Sequence, residues 1–372
     1  MLRVFGFNRN LIWGWLCAAS LVLLLVISGC VISPRRTLGG GGGTPTPTPT
    51  PTGSPTPTPT PSGTPQGKLY VSNAGDNSIV RFDQALTASG NIVPGAKISG
   101  TNSQLNAPAF IFLDTAADRL YVANNGDLSI LIFDNISTKS GNVAPERTIS
   151  GSNTLLSSPT DVSLDKGRDL LYVADDTNIE VFSSASTATS NIAPARSLDA
   201  QFHVSAIFID GTNDRLYAAD DANNAIAVYD NASALATGPI TATRTIQGAA
   251  THLATPDGIQ IDGGGRLVVS NASTSAPSIT IYNSAATANG NLAPSAEISG
   301  SNTGFGVPSQ SAIDTTGSGT LYNADPGIGR VAIFSNLSSS TGNIAPNRII
   351  FGPGTTLTVA GAPHGVALDR TR

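Results

Sequence analysis

Short apolar runs recur along most of this chain, each closed by a turn-forming residue. The clearest, Lys68-Leu69-Tyr70-Val71-Ser72-Asn73, returns as Arg119-Leu120-Tyr121-Val122-Ala123-Asn124 and again at 171–175, 216–220, 267–271 and 321–325. Tyr70, Tyr121 and Tyr172 are spaced 51 residues apart, and Tyr217 follows 45 later. A second run closes on Asp, as in Ile111-Phe112-Leu113-Asp114, with its Asp repeated at 165, 210, 262, 314 and 369. A third is like Ser129-Ile130-Leu131-Ile132-Phe133, and a fourth like Arg147-Thr148-Ile149-Ser150-Gly151. Runs this short, rich in β-branched and aromatic residues and bounded by Gly, Asn, Asp and Pro, predict strands joined by tight turns. Four strands in a repeat of about 50 residues describe a propeller blade. Six repeats predict an all-β fold, a six-bladed β-propeller with four-stranded blades over residues 68–372.

The two ends of the repeat region are complementary. The first repeat begins at Lys68 without its Asp-ending strand, and the chain finishes on Pro363-His364-Gly365-Val366-Ala367-Leu368-Asp369. The C-terminal strand is therefore expected to join the first blade and close the ring, since an open array would leave sheet edges that invite aggregation. A further phrase, Ser89-Gly90-Asn91-Ile92-Val93-Pro94, returns at Gly141-Asn142, Ser190-Asn191, Gly290-Asn291 and Gly342-Asn343. The fourth repeat has only a worn copy around Gly238-Pro239.

The N-terminal part follows a different pattern. Residues 1–10 carry Arg3 and Arg9 and no acid, residues 11–27 are almost wholly apolar, and Ile27-Ser28-Gly29-Cys30 follows. A basic start, an apolar stretch and small residues at a cut site predict an export signal over 1–29. The ending resembles a bacterial lipobox, which implies cleavage before Cys30, acylation of its thiol and anchoring of the chain in a lipid bilayer. Val31 leans toward the outer membrane or cell surface. Residues 30–67 read as a disordered stalk: five glycines, Gly39 to Gly43, then alternating Thr-Pro from Thr44 to Pro65. A Pro-rich tract favours extended polyproline II and could reach about 70 Å.

Charge narrows the choice of partners. All 25 Asp and Glu residues lie beyond Gly67, and four of the 20 Lys and Arg residues lie before it, so the repeat region is formally −9. This disfavours nucleic acid, which needs a basic footprint. Charged residues are only 12% of the chain, so Ser, Thr, Asn and Gly must cover much of the surface of an expected monomer. Both cysteines, Cys17 and Cys30, precede the repeats, so the folded part has no disulfide and no Cys-based metal site.

The pattern Pro256-Asp257-Gly258-Ile259-Gln260-Ile261-Asp262, matched at 363–369 and followed by Leu-Tyr-Val-Ala-Asn/Asp, resembles NHL-type propeller repeats. That resemblance implies fold more than activity, because propellers host binding, hydrolysis and scaffolding alike. Groups present in every repeat, the strand-ending Asp residues and the Asn or Asp after the second strand, are expected to hold turns. Ligand-binding groups should lie where the repeats differ, at the starts of the Asp-ending strands, which converge on one channel mouth. The candidates are Thr160, Asp161, Ser205, Asp257, Gln310 and His364, with His203 and Ser309 nearby. The function expected is a membrane-tethered, non-catalytic binding or scaffold module for a protein or glycan at the cell envelope, with no cofactor. The alternative is a lactonase-like hydrolase with a central divalent cation held by groups such as Asp161, Asp257 and His364. Against it, the repeats contain only three glutamates, Glu146, Glu180 and Glu297, and no histidine pair at ligand spacing.

Overall fold

The computed structural model describes residues 66–372; the expected export signal, Cys30 and nearly all of the expected stalk lie outside the described residues. Six sheets of four antiparallel strands follow one another along the chain, the third extended by a short parallel strand, Gly238–Pro239. Blade 1 is built from Pro363–Asp369, Lys68–Asn73, Ser78–Asp83 and Ala96–Ile98. Blade 2 comprises Pro108–Asp114, Arg119–Asn124, Ser129–Asp134 and Arg147–Ser150. Blade 3 comprises Pro159–Asp165, Leu170–Asp175, Asn178–Ser183 and Arg196–Asp199. Blade 4 has Val204–Asp210, Arg215–Asp220, Ala225–Asp230 and Arg244–Gln247. Blade 5 has Pro256–Ile261, Leu267–Asn271, Ser278–Tyr282 and Ala296–Ser299. Blade 6 has Ser311–Asp314, Thr320–Asp325, Arg330–Ser335 and Arg348–Phe351. The first strand of each blade touches the first strands of both neighbours, so these six line a central channel.

The ring closes as the chain ends imply. Lys68 pairs with Asp369, Tyr70 with Ala367 and Asn73 with Pro363, so the last strand completes the first blade. The C-terminus is fastened further by Arg372, whose Nη1 donates to the carbonyl of Thr115 at 2.8 Å, and by an ion pair between Arg370 and Asp314.

The second strands read as continuous apolar runs because a blade is covered on both faces. Leu69 and Val71 pack toward blade 6, while Tyr70 between them packs toward blade 2. The core is accordingly six apolar layers, one between each pair of neighbouring blades. The repeated Tyr crosses such a layer: Tyr121 donates to the carbonyl of Ala185 in blade 3, joined there by Arg147. Tyr322 and Arg348 make the same pair of bonds to Ala85 of blade 1.

The strand-ending Asp residues hold turns. Asp114 accepts the N–H of Ala116, Asp165 that of Arg168, Asp262 that of Gly264 and Asp369 that of Thr371. The Asn or Asp after the second strand does similar work: Asn124 accepts from the N–H of Asn106, and Asp175 from Ser157 and Ser158. Repetition at these positions therefore reflects backbone satisfaction in most blades, with Asn73 of blade 1, whose Oδ1 has no partner among the described residues, as an exception.

Candidate functional site: one mouth of the central channel

The first strands begin irregularly, and this irregularity builds the site. Four of them start on proline, at 108, 159, 256 and 363, which suits a strand's first residue. In five blades the pairing then shifts register before the regular ladder sets in. The extra residue is Thr160 in blade 3, Ser205 in blade 4 and Asp257 in blade 5. In blade 1 the shift spans His364-Gly365, and in blade 2 Ala109-Phe110. A bulge re-aims a side chain away from the strand's regular alternation. Here the bulges bring Thr160, Ser205, Asp257 and His364 to the wall of one cavity of about 350 Å³.

The strands must run close together at this level. A Cβ on Gly365 would lie 2.6 Å from Ser72 Oγ and 2.8 Å from the carbonyl of Ala109, so only glycine fits there. Beneath the cavity side chains narrow the channel. Phe110, from blade 2, belongs to the apolar cluster of blades 4 and 5 that holds Ala206 and Ile259. Gln310 of blade 6 reaches past blade 1 to blade 2. Its Nε2 donates to the carbonyl of Ile111 at 3.1 Å, and its Oε1 accepts the N–H groups of Ile111 and of Val366 in blade 1. Asp161 accepts the N–H of Val162 at 2.7 Å and that of Ile207 in the next blade at 2.9 Å. Gln310 and Asp161 thus satisfy backbone donors left over between the first strands. Both line a second, smaller cavity of about 160 Å³, deeper in the channel than the mouth.

Four of the six sequence-derived candidates therefore share the mouth, and two form its supporting layer. The mouth also contains residues that the repeat comparison left out. Asp221 lies one residue beyond the repeated Asp220, and Ala74 and Asn125 occupy the same position after Asn73 and Asn124. That position varies between repeats, a signal readable in hindsight. Phe110 had no such signal, since it sits in an ordinary apolar run.

The electrostatics of the mouth are set by burial and by two hydrogen bonds. His203 Nδ1 lies 2.9 Å from Asp221 Oδ1. That bond raises the imidazole's pKa and lowers the carboxyl's. Ser309 Oγ donates to Asp257 Oδ2 at 2.7 Å, yet burial prevails and pushes Asp257 up to about 7. Burial likewise pushes Asp161 up to about 8 against its two backbone donors, and pushes His364 down.

No family model and no curated protein matches the sequence. Solved structures do resemble it in shape. One is a functionally unknown protein from Desulfotomaculum acetoxidans DSM 771, with a TM-score of 0.51 and 12% identity over 78% of this chain and 83% of that one. Another is a chain of a nidogen/laminin complex, with a TM-score of 0.52 and 14% identity over 81% of this chain and 98% of that one. At such identities the likeness is one of fold, and a six-bladed propeller is compatible with a binding module.

A metal at the mouth would need ligands with free lone pairs. Each Asp161 oxygen accepts one backbone N–H and keeps a second lone pair, and among the described residues no three His, Cys, Asp or Glu side chains gather around one point.

Proposed function

We propose that this protein is a cell-envelope binding module of NHL type, held to a bilayer through acylated Cys30 and a Thr-Pro stalk, with its ligand site at the channel mouth. One observation carries the reading. The bulged residues are among those in which the blades differ most, and they converge on a single concave cavity where a few polar groups stand on a mostly apolar wall. A pocket of this kind, with a few convergent polar groups on a rigid scaffold, is the ordinary form of a small-ligand site. Ser309 and Asp257 make one hydroxyl–carboxylate contact at the mouth, but no three-ligand metal cluster accompanies it among the described residues, so binding without chemistry is the reading favoured. The outer membrane or cell surface is the site of anchoring that the residue after Cys30 supports.

Two experiments test this. Cys30→Ser should abolish incorporation of a labelled fatty acid into the protein; labelling that persists in the variant, or is absent from the wild type, would refute the lipid anchor. For the site, envelope glycans and peptides are screened by thermal shift against the wild type and Thr160→Trp. Thr160 is partly exposed and its hydroxyl makes only bonds of 3.4 Å, so an indole there should fill the mouth at little cost to folding. A ligand lost in Thr160→Trp supports the reading, and a panel response identical in both proteins counts against it. Metal analysis of the purified chain bears on the hydrolase alternative: one tightly held divalent ion that disappears in Asp257→Ala would replace the binding-only reading.

A further inference from the structure

The charge pattern of the mouth indicates what kind of molecule would occupy it. Two carboxylates, Asp257 and Asp221, line the cavity, and neither Lys nor Arg does. The basic groups are imidazoles, and one of them, His203, is already bonded to Asp221. Asp257 uses Oδ2 to accept from Ser309, while Oδ1 has no hydrogen-bond partner among the described residues. The rest of the wall includes an apolar patch of Phe110, Ala74, Ala107 and Ala109.

We infer that the mouth takes a small organic cation, an ammonium group on a compact apolar body, with the charge at Asp257 and Asp221 and the body against Phe110 and the alanines. The inference rests on the reading of the mouth as a binding site and adds the class of ligand. A half-buried carboxylate with an open lone pair is costly until something donates to it. An anion would meet two carboxylates with no guanidinium or ammonium to offset them. A neutral ligand would leave the charge of Asp257 unbalanced.

The protonation states sharpen the expectation. The ionisable groups acting on Asp257 are Asp221 and His203, and Asp257 itself acts on Asp161 below. Between pH 6 and 8 Asp257, near 7, gains its negative charge. That change strengthens the hold on a cation. Burial favours the neutral form of His364, and His203 favours the charged form of Asp221. A carboxyl titrating near 7 goes from about one-tenth to nine-tenths ionised across this window, so affinity should rise about tenfold.

Isothermal titration calorimetry on the full chain in detergent tests this, with benzylamine, benzyl alcohol and benzoate as probes of one size and three charges. Benzylamine should bind at least tenfold tighter than benzyl alcohol, with benzoate weaker still, and tighten about tenfold from pH 6 to 8. Asp257→Asn keeps an acceptor for Ser309 but should lose tenfold or more in benzylamine affinity together with the pH dependence. A capped Gly-Lys-Gly peptide binding tighter than benzylamine would keep the cation and identify its source as a protein side chain. Benzyl alcohol or benzoate binding as well as benzylamine, or undiminished affinity in Asp257→Asn, would overturn the inference. If that binding still vanished in Thr160→Trp, the mouth would remain a binding site and only its cation preference would fall. Absence of binding by all three probes also overturns the cation assignment, while the mouth itself stands or falls by the glycan and peptide screen.

Discussion

Glu180 is a charged residue at an otherwise uncharged position of its repeat. It occupies the third-strand position filled by Val80, Leu131, Ala227, Thr280 and Ala332 in the other blades, and it is fully buried. Ser197 Oγ donates to its Oε1 at 2.7 Å, and its Oε2 has no partner. Burial raises its pKa to about 7, helped by the nearby charge of Asp175 and opposed by Ser197. The folded protein thus favours the protonated form. The cost of burying it is absent below the unfolded carboxyl's pKa, grows as pH rises and is complete above about 7. Glu180→Gln should stabilise the fold at pH 8 by on the order of 1–3 kcal/mol and have little effect at pH 5. Denaturant unfolding at the two pH values checks this; an equal effect at both would contradict it.

At the scale of elements, the second repeated phrase proves to be a fastener between blades. Its Gly or Ser forms a parallel bridge to the previous blade's outer strand, as Gly141 does with Ile98 and Gly90 with Ile350. The following Asn then accepts an N–H from the turn beyond that strand. Asn142 accepts from Asn102, Asn191 from Asn153, Asn291 from Ala250, Asn343 from Asn302 and Asn91 from Gly354. This covers an outer edge that would otherwise be open to pairing with another chain. Gly100 makes the clamp possible, with φ at 102° and a would-be Cβ 2.7 Å from Asn142 Oδ1. Asn142→Ala should cost about 1 kcal/mol, and Gly100→Ala more, because it adds backbone strain to the collision. Thermal unfolding of both variants would show the order. The seam between blades 3 and 4 has the parallel pairing of Leu198-Asp199 with Gly238-Pro239 but no Asn. Hydrogen exchange should be fastest at that seam if the clamp matters, and uniform across seams if it does not.

For the molecule as a whole, closure through residues 363–369 is the decisive contact. Val366 is part of the apolar layer that joins Leu69 and Val71 of blade 1 to Ala312 and Tyr322 of blade 6. Deleting 363–372 would bare the Lys68–Asn73 edge and that layer together. The truncated chain should lose its cooperative unfolding transition and associate, by circular dichroism and size-exclusion chromatography. A monomer with an unchanged midpoint would show that closure contributes little. The same closure fixes the mouth, since His364 and the Val366 N–H that holds Gln310 both belong to the closing strand.

Blade number, strand order and the closing strand were legible in the residues alone, because each follows from local periodicity and from what the first repeat lacks. The fastening role of Gly-Asn-x-x-Pro was not, although the phrase itself was plain: nothing in its spacing says that it serves the preceding blade. The mouth was legible in part. Divergence between repeats pointed to Thr160, Ser205, Asp257 and His364, but it could not separate them from Asp161 and Gln310, one level lower. That depth is set by where each bulge falls and which way it turns the side chain. Nor could it bring in Phe110 and Asp221, whose places depend on the ring's diameter and on strands far apart in sequence. Local pattern fixes which backbone groups pair within a blade; distances across a ring are set only when all six blades close on one another.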